Sequence, residues 1–272
     1  MNKRHAFFIS DSTGQTAENL GKALLAQFEH TQASPVYMPY TDTEQKARAA
    51  LLRIRSSIQL ADAKPLIFSS ILSPRIRNII AEADGFVIDI FGSFLPGLEE
   101  ELGEQPMSHV GKSHAHAAEE KSVLRIDAMN YALDNDDGMR VNRYDQADII
   151  LVGVSRSAKT PTCLYMGMQY GIFAANYPLT EEDLENGQFP AALIDHKHKL
   201  FALTISPERL SAIRNERRTG SKYASLRQCE WEVKEAESMY RKLGLKKVTT
   251  THFSVEEIGA HILVETGLAR RL

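Results

Sequence analysis

The segment Ala147–Val154 (ADIILVGV) constrains the fold of this chain more than any other stretch. After Asp148 it is a short run rich in β-branched residues with nothing polar to face water, the pattern of a strand buried on both faces. A polar loop, Gly153–Thr160, leaves it at once, and Pro161 then marks the first turn of a helix running to about Gly171. A doubly covered strand belongs in a parallel sheet with helices on either side, so the expected class is α/β.

The rest of the chain repeats this alternation. Strands are expected at His5–Ser10, Pro35–Tyr40, Leu66–Ser70 and Phe86–Phe91. Helices should fall between them, from Thr16 as cap to about Phe28 (apolar face Leu20, Leu24, Leu25), over Thr43–Gln59, and over Ser73–Ala83. Glycines, prolines and an acidic run in Gly92–Gly111 read as a join. Beyond it lie a helix at Ala115–Leu133, a turn at Asp134–Gly138, and strands at Ile172–Tyr177 (ended by Pro178) and Phe201–Ile205. Helices follow from Pro207, over Ser225–Leu243 and over Ser254–Thr266, with a candidate edge strand at Lys246–Thr250. Mostly parallel sheets flanked by helices are therefore expected in two parts. Residues 1–108 would form an N-terminal α/β domain, and residues 109–272 a kinase-like domain carrying the loop.

A formal net charge of −3 offers no global attraction to nucleic acid or to an anionic membrane. No apolar run approaches the ~20 residues that cross a bilayer, and no signal peptide is evident. The two cysteines, Cys163 and Cys229, form no CxxC pair, which fits a reducing cytoplasm. Homo-oligomer formation stays open.

The loop Gly153-Val154-Ser155-Arg156-Ser157-Ala158-Lys159-Thr160 has the spacing of the phosphate-binding P-loop, with Ala158 at the second glycine. A tight turn there aims backbone N–H groups and the positive end of the helix dipole at one point. Lys159 is expected to reach terminal phosphates, Thr160 to ligate Mg²⁺, and Arg156 with the two serines to donate to phosphate oxygens. Asp136 and Asp137, shortly upstream, have the chemistry to hold Mg²⁺ or to take a proton from a hydroxyl, though a solvated turn is the commoner origin of such a pair. Asp89 and Asp195, each expected at a strand end, are weaker candidates for that work.

Other segments admit two readings. Ser10–Thr16 is either an anion cradle or a capped helix start. The basic run Arg209, Arg214, Arg217, Arg218, Lys222 suits phosphate, but an exposed helix-end cluster is the commoner origin. His109, His114, His116, His196 and His198 invite a metal reading without supporting cysteines. Tyr165, Met166, Met168 and Tyr170 are expected to pack behind the loop helix.

GVSRSAKTPT at Gly153–Thr162, preceded by ADIILV, resembles the regulatory proteins of phosphoenolpyruvate synthase and of pyruvate, phosphate dikinase. The likeness extends to SDSTGQTAE (Ser10–Glu18), DDG (Asp136–Gly138), AANYPL (Ala174–Leu179) and LTISPERLSAIRNERR (Leu203–Arg218), and its details look most like the synthase branch. The resemblance implies a bifunctional serine/threonine kinase and phosphotransferase. Such proteins use ADP to phosphorylate a threonine beside their target's catalytic histidine, and inorganic phosphate to remove that group as pyrophosphate. It places the nucleotide at Gly153–Thr160. In many members a histidine precedes the paired aspartates, where this chain has Asn135. Two other readings of the residues are an ATP-dependent small-molecule kinase and a nucleotide-sensing module without chemistry.

Overall fold

A computed structural model describes residues 3–58, 63–106, 115–218 and 220–272. The chain divides into two compact units, Met1–His114 and Ala115–Leu272.

The first unit contains β1 (Lys3–Ile9), α1 (Gln15–Leu25), β2 (Gln32–Met38), α2 (Glu44–Ile58), β3 (Leu66–Ser69), α3 (Pro74–Ala81), β4 (Phe86–Asp89) and α4 (Ile90–Leu102). Its four strands are parallel in the order β2-β1-β3-β4. Alternate residues of β1 supply opposite cores. Phe7 and Ile9 pack with Ile54 of α2 and Ile80 of α3, whereas Ala6 and Phe8 meet Ala17 of α1 and Ile90 of α4.

Two expectations fail here. The helix after β1 starts at Gln15 with Gly14 as its cap, and no side chain caps it. Gly14, at φ 85°, turns the chain into the helix by backbone geometry, which leaves Thr16 exposed in the first turn and Leu24 facing water. The supposed join is largely the helix α4. The Asp89 carboxylate accepts from Gly92 N at 2.9 Å and starts that helix, and Pro96 is carried inside it. The last residues of the join, 107–111, and with them the expected boundary at 108/109, lie outside the described residues.

The second unit contains α5 (Ala115–Asp134), β5 (Ile149–Val154), α6 (Lys159–Tyr170), β6 (Ala174–Leu179), α7 (Glu181–Asn186), α8 (Ala191–Ile194), β7 (Leu200–Thr204), α9 (Pro207–Arg217), α10 (Leu226–Leu243), β8 (Lys247–Thr249) and α11 (Val255–Thr266). Its strands are again parallel, in the order β6-β5-β7-β8. Every residue of β5 is buried. Ile150 and Val152 face Leu210, Met239 and Tyr240 of α9 and α10; Ile149 and Leu151 face Met166 of α6 and Ile262 of α11. Pro178 does not end β6. It pairs with Gly153 inside the strand, because β6 is an edge and a missing N–H there breaks no ladder. Met168, expected in the core, lies on the outer face of α6. Among the described residues no helix is long and apolar enough to cross a membrane.

Candidate phosphate-transfer site

The site is built where β5 hands the chain to α6. Gly153 is there for space: a Cβ would stand 2.6 Å from the Ser157 hydroxyl and 2.7 Å from the Leu203 carbonyl of β7. The loop then turns through two left-handed residues, Arg156 at φ 74° and Ala158 at φ 65°. Neither is glycine, so each costs about 1–2 kcal/mol that the surrounding contacts must offset.

Those contacts converge on one oxygen. The Val154 carbonyl accepts from Ser157 N at 3.3 Å, from Ser157 Oγ at 2.9 Å and from Lys159 Nζ at 3.0 Å. Lys159, the residue expected to reach terminal phosphates, folds its ammonium back under the loop, where it is buried. Desolvation pushes its pKa down to about 8, against the pull of Asp137 and Asp136.

The acidic turn closes the flank of the loop nearest β6. Asp136 and Asp137 lie in a 3-10 turn, Asp136–Gly138, in which Asp137 is left-handed at φ 46°. Asp136 Oδ1 accepts from the Thr160 hydroxyl at 2.7 Å and from Asn176 Nδ2 at 2.6 Å. Asn176, fully buried on β6, also accepts from Asp137 N at 3.1 Å, so one amide fixes both aspartates. The sequence reading missed Asn176 as a site residue, although an asparagine inside an apolar strand was the available signal. Asn135 is structural here. It is fully buried, its Nδ2 bonds the Tyr131 carbonyl at 2.8 Å, and its backbone oxygen accepts from Asn176 N.

The flank nearest β7 is basic, and of the run read as an exposed helix-end cluster Arg209, Arg217, Arg218 and Lys222 are indeed exposed, whereas Arg214 is not. Arg214 of α9 is 1% exposed and forms a two-pronged ion pair with Glu232 of α10, at 3.0 and 2.6 Å. The same guanidinium donates to the carbonyls of Ser155 (3.0 Å) and Tyr223 (2.9 Å) and lies 3.9 Å from the centre of the Tyr223 ring. Tyr223 in turn donates its hydroxyl to Ser155 Oγ at 2.9 Å. Loop position Ser155 is thus clamped from below and from the side. Glu232 carried no signal in the sequence, because its partner lies 18 residues away on another helix.

The remaining candidates go elsewhere. Asp89 caps α4 and lies 3.6 Å from Arg77. Asp195 follows the short helix α8, not a strand, and is exposed. Asp11, in the loop after β1, accepts from Leu72 N at 2.8 Å and Ser73 N at 3.4 Å, so that loop already contains an anion of its own. His196 and His198 lie at a 3-10 turn, not on a strand, while His109, His114 and the side chain of His116 fall outside the described residues. Among the described residues no three metal-ligating side chains converge.

Residues 6–263 match the model of a family described as kinase/pyrophosphorylase. A protein of Pseudomonas aeruginosa named "Putative phosphoenolpyruvate synthase regulatory protein" is 56% identical over 269 residues, covering 99% of this chain and 98% of its own. A protein of the same name from Stutzerimonas stutzeri is 56% identical over 270 residues, covering 99% of both.

Proposed function

Because the chain belongs to the kinase/pyrophosphorylase family, we propose that it moves phosphate onto and off a threonine of phosphoenolpyruvate synthase, through the loop Gly153–Thr160. The observation that carries this reading is the hydrogen bond from Thr160 to Asp136. It joins a phosphate-binding loop to a carboxylate able to serve a hydroxyl nucleophile.

In the forward direction ADP is the donor. The N–H groups at the start of α6, with Arg156, Ser155 and Ser157, cradle its β-phosphate, and Lys159 turns outward to meet it. The target threonine oxygen attacks the β-phosphorus, the bond to the bridging oxygen breaks, and AMP leaves. Asp137, exposed beside the half-buried Asp136–Asn176 contact, orients the hydroxyl and takes its proton. The hydroxyl of Thr160 and the carboxylate of Asp136 are adjacent hard oxygen donors that would hold Mg²⁺, which when bound would supply charge neutralisation to the transferring phosphoryl group. In the reverse direction an oxygen of inorganic phosphate attacks the phosphothreonine phosphorus. Pyrophosphate forms, and the threonine oxygen recovers a proton from the same carboxyl group.

The test uses purified chain, phosphoenolpyruvate synthase, Mg²⁺ and ADP labelled on its β-phosphate, beside matched ATP and Lys159→Met reactions. Label on a synthase threonine from ADP, lost in the variant, is expected. Transfer to a metabolite from ATP without any protein target would replace this reading with a small-molecule kinase. Nucleotide binding with no labelled product from either donor would leave a sensing module.

A further inference from the structure

The loop face of the second unit has more positive charge than one phosphate cradle uses. Ser155, Arg156, Arg214, Arg217, Arg218 and Tyr223 line an open cleft of about 550 Å³ on the β7 flank of the loop. Its members differ in kind. Arg214 is spent: Glu232 neutralises it, and its donors hold Ser155 and Tyr223. Arg156, Arg217 and Arg218 are exposed, and among the described residues none of the three has a carboxylate within ion-pair distance. Three unpaired guanidinium groups around one concavity repel one another, and an anion relieves that repulsion. Arg156 is also kept left-handed at φ 74°, a conformation that a bulky side chain adopts only where the surroundings enforce it.

Arg214 and Tyr223 hold the adjacent Ser155, so the buried ion pair fixes the residue that precedes Arg156 on the rim. The two flanks of the loop therefore have opposite character. Asp136 and Asp137 stand on the β6 side, suited to a hydroxyl or a cation, and the arginines stand on the β7 side, suited to a second anion.

We propose that this cleft is a second phosphate site, centred on Arg217 and Arg218 and sharing only the Ser155–Arg156 rim with the cradle formed by the loop and Lys159. It binds a phosphate dianion, either free or as the phosphomonoester of a protein side chain. Guanidinium forks match phosphate oxygens two at a time, which makes arginine rather than lysine the fitting residue here. The inference rests on the function proposed above and deepens it: a reaction in which one phosphate attacks another needs two places for phosphate.

The test measures binding without turnover, by calorimetry and by ³¹P line broadening. The whole chain is titrated with inorganic phosphate, with a phosphothreonine peptide and its unphosphorylated control, and with ADP. Arg217→Ala/Arg218→Ala removes exposed side chains, and a thermal melt checks that the fold persists. Loss of two charge-assisted contacts should weaken phosphate or phosphopeptide binding about tenfold or more while ADP affinity stays within about twofold. Lys159→Met should show the opposite pattern. Preference for the peptide over free phosphate identifies a protein-borne group; the reverse identifies the free ion.

The cleft assignment is overturned if the double variant binds phosphate and phosphopeptide like the parent, or loses ADP in equal measure. Neither ligand binding the parent chain overturns it too. Failure of the labelled-ADP transfer alone, with phosphate still lost in the double variant, would instead remove the function and leave the cleft.

Discussion

The two sheets of this chain share one plan and use it differently. Each is a parallel four-stranded sheet in which the first strand lies between the second and the third, in the orders β2-β1-β3-β4 and β6-β5-β7-β8. In each, the first strand leads through a polar loop to a left-handed residue and then a helix, Gly14 at φ 85° in one and Ala158 at φ 65° in the other. The order reverses beside that first strand, the position where α/β sheets bind ligands. In the first unit the chain fills it: Asp11 spans from the β1 loop to the N–H groups of Leu72 and Ser73 after β3. In the second unit the equivalent loop presents serines, an arginine and a lysine and contributes no carboxylate of its own. Topology supplied the crevice twice, and side-chain charge distinguishes the two: a carboxylate fills one, and the loop of the other brings none.

Lys159→Met should break that contrast most severely. Removing the cation proposed to turn outward to the transferring group is expected to lower phosphate transfer by about a hundredfold or more. Asp11→Asn, the matching change in the first unit, should leave transfer by folded protein near the parent rate. A similar collapse of kcat in both variants would mean that the two crevices are not functionally distinct.

Arg214→Met comes next. It strands Glu232 as an unpaired buried charge, at a cost of about 3–5 kcal/mol to the second unit, read by denaturant titration. Adding Glu232→Leu should recover most of the loss while leaving Ser155 unclamped and ADP binding weak. Full recovery of ADP affinity in the double variant would show that the clamp positions nothing.

A pH series separates Lys159 from the arginines. Its folded pKa is depressed from 10.5 to about 8, so above pH 8 the folded chain loses the ammonium proposed to meet the nucleotide phosphate. ADP affinity should fall by up to about tenfold per pH unit there. Stability should move the other way. Between pH 8 and 10.5 the unfolded chain binds the extra proton, so this lysine's contribution to stability rises with pH and is smallest below pH 8. ADP affinity flat to pH 10 would show that Lys159 never leaves Val154 for the nucleotide.

Much of this plan was legible in the residues, for reasons that also explain the gaps. The apolar run at Ile149–Val154 admits only a buried strand, and the alternation of runs implied parallel sheets. What escaped depended on partners distant in sequence or on local rules being overruled. Gly92 and Pro96 look like helix breakers, yet Asp89 starts α4 through both. Pro178 looks like a strand end, but an edge strand tolerates it. Arg214 looks exposed in a basic run until α10 brings Glu232 to it, and Asn176 becomes a site residue only when β6 lies beside β5. At the loop itself, spacing located Lys159 but gave no hint of its inward turn onto Val154.

The smallest expected effect gives the sharpest comparison, because it exchanges the left-handed residues of the two loops. Ala158→Gly removes a Cβ from φ 65° and should stabilise the second unit by about 1 kcal/mol, after the greater flexibility of glycine in the unfolded chain is set against the relieved strain. Gly14→Ala should cost the first unit a similar amount. No heavy atom lies closer than 3.8 Å to the Cβ it would add, so the penalty is one of φ alone and not of collision. Opposite shifts of like size, measured by amide hydrogen exchange in each unit, would establish that both loops use the same turn. If Ala158→Gly instead destabilises its unit, the turn there is supported by the alanine methyl packed against the α6 core, and the two loops are alike in outline only.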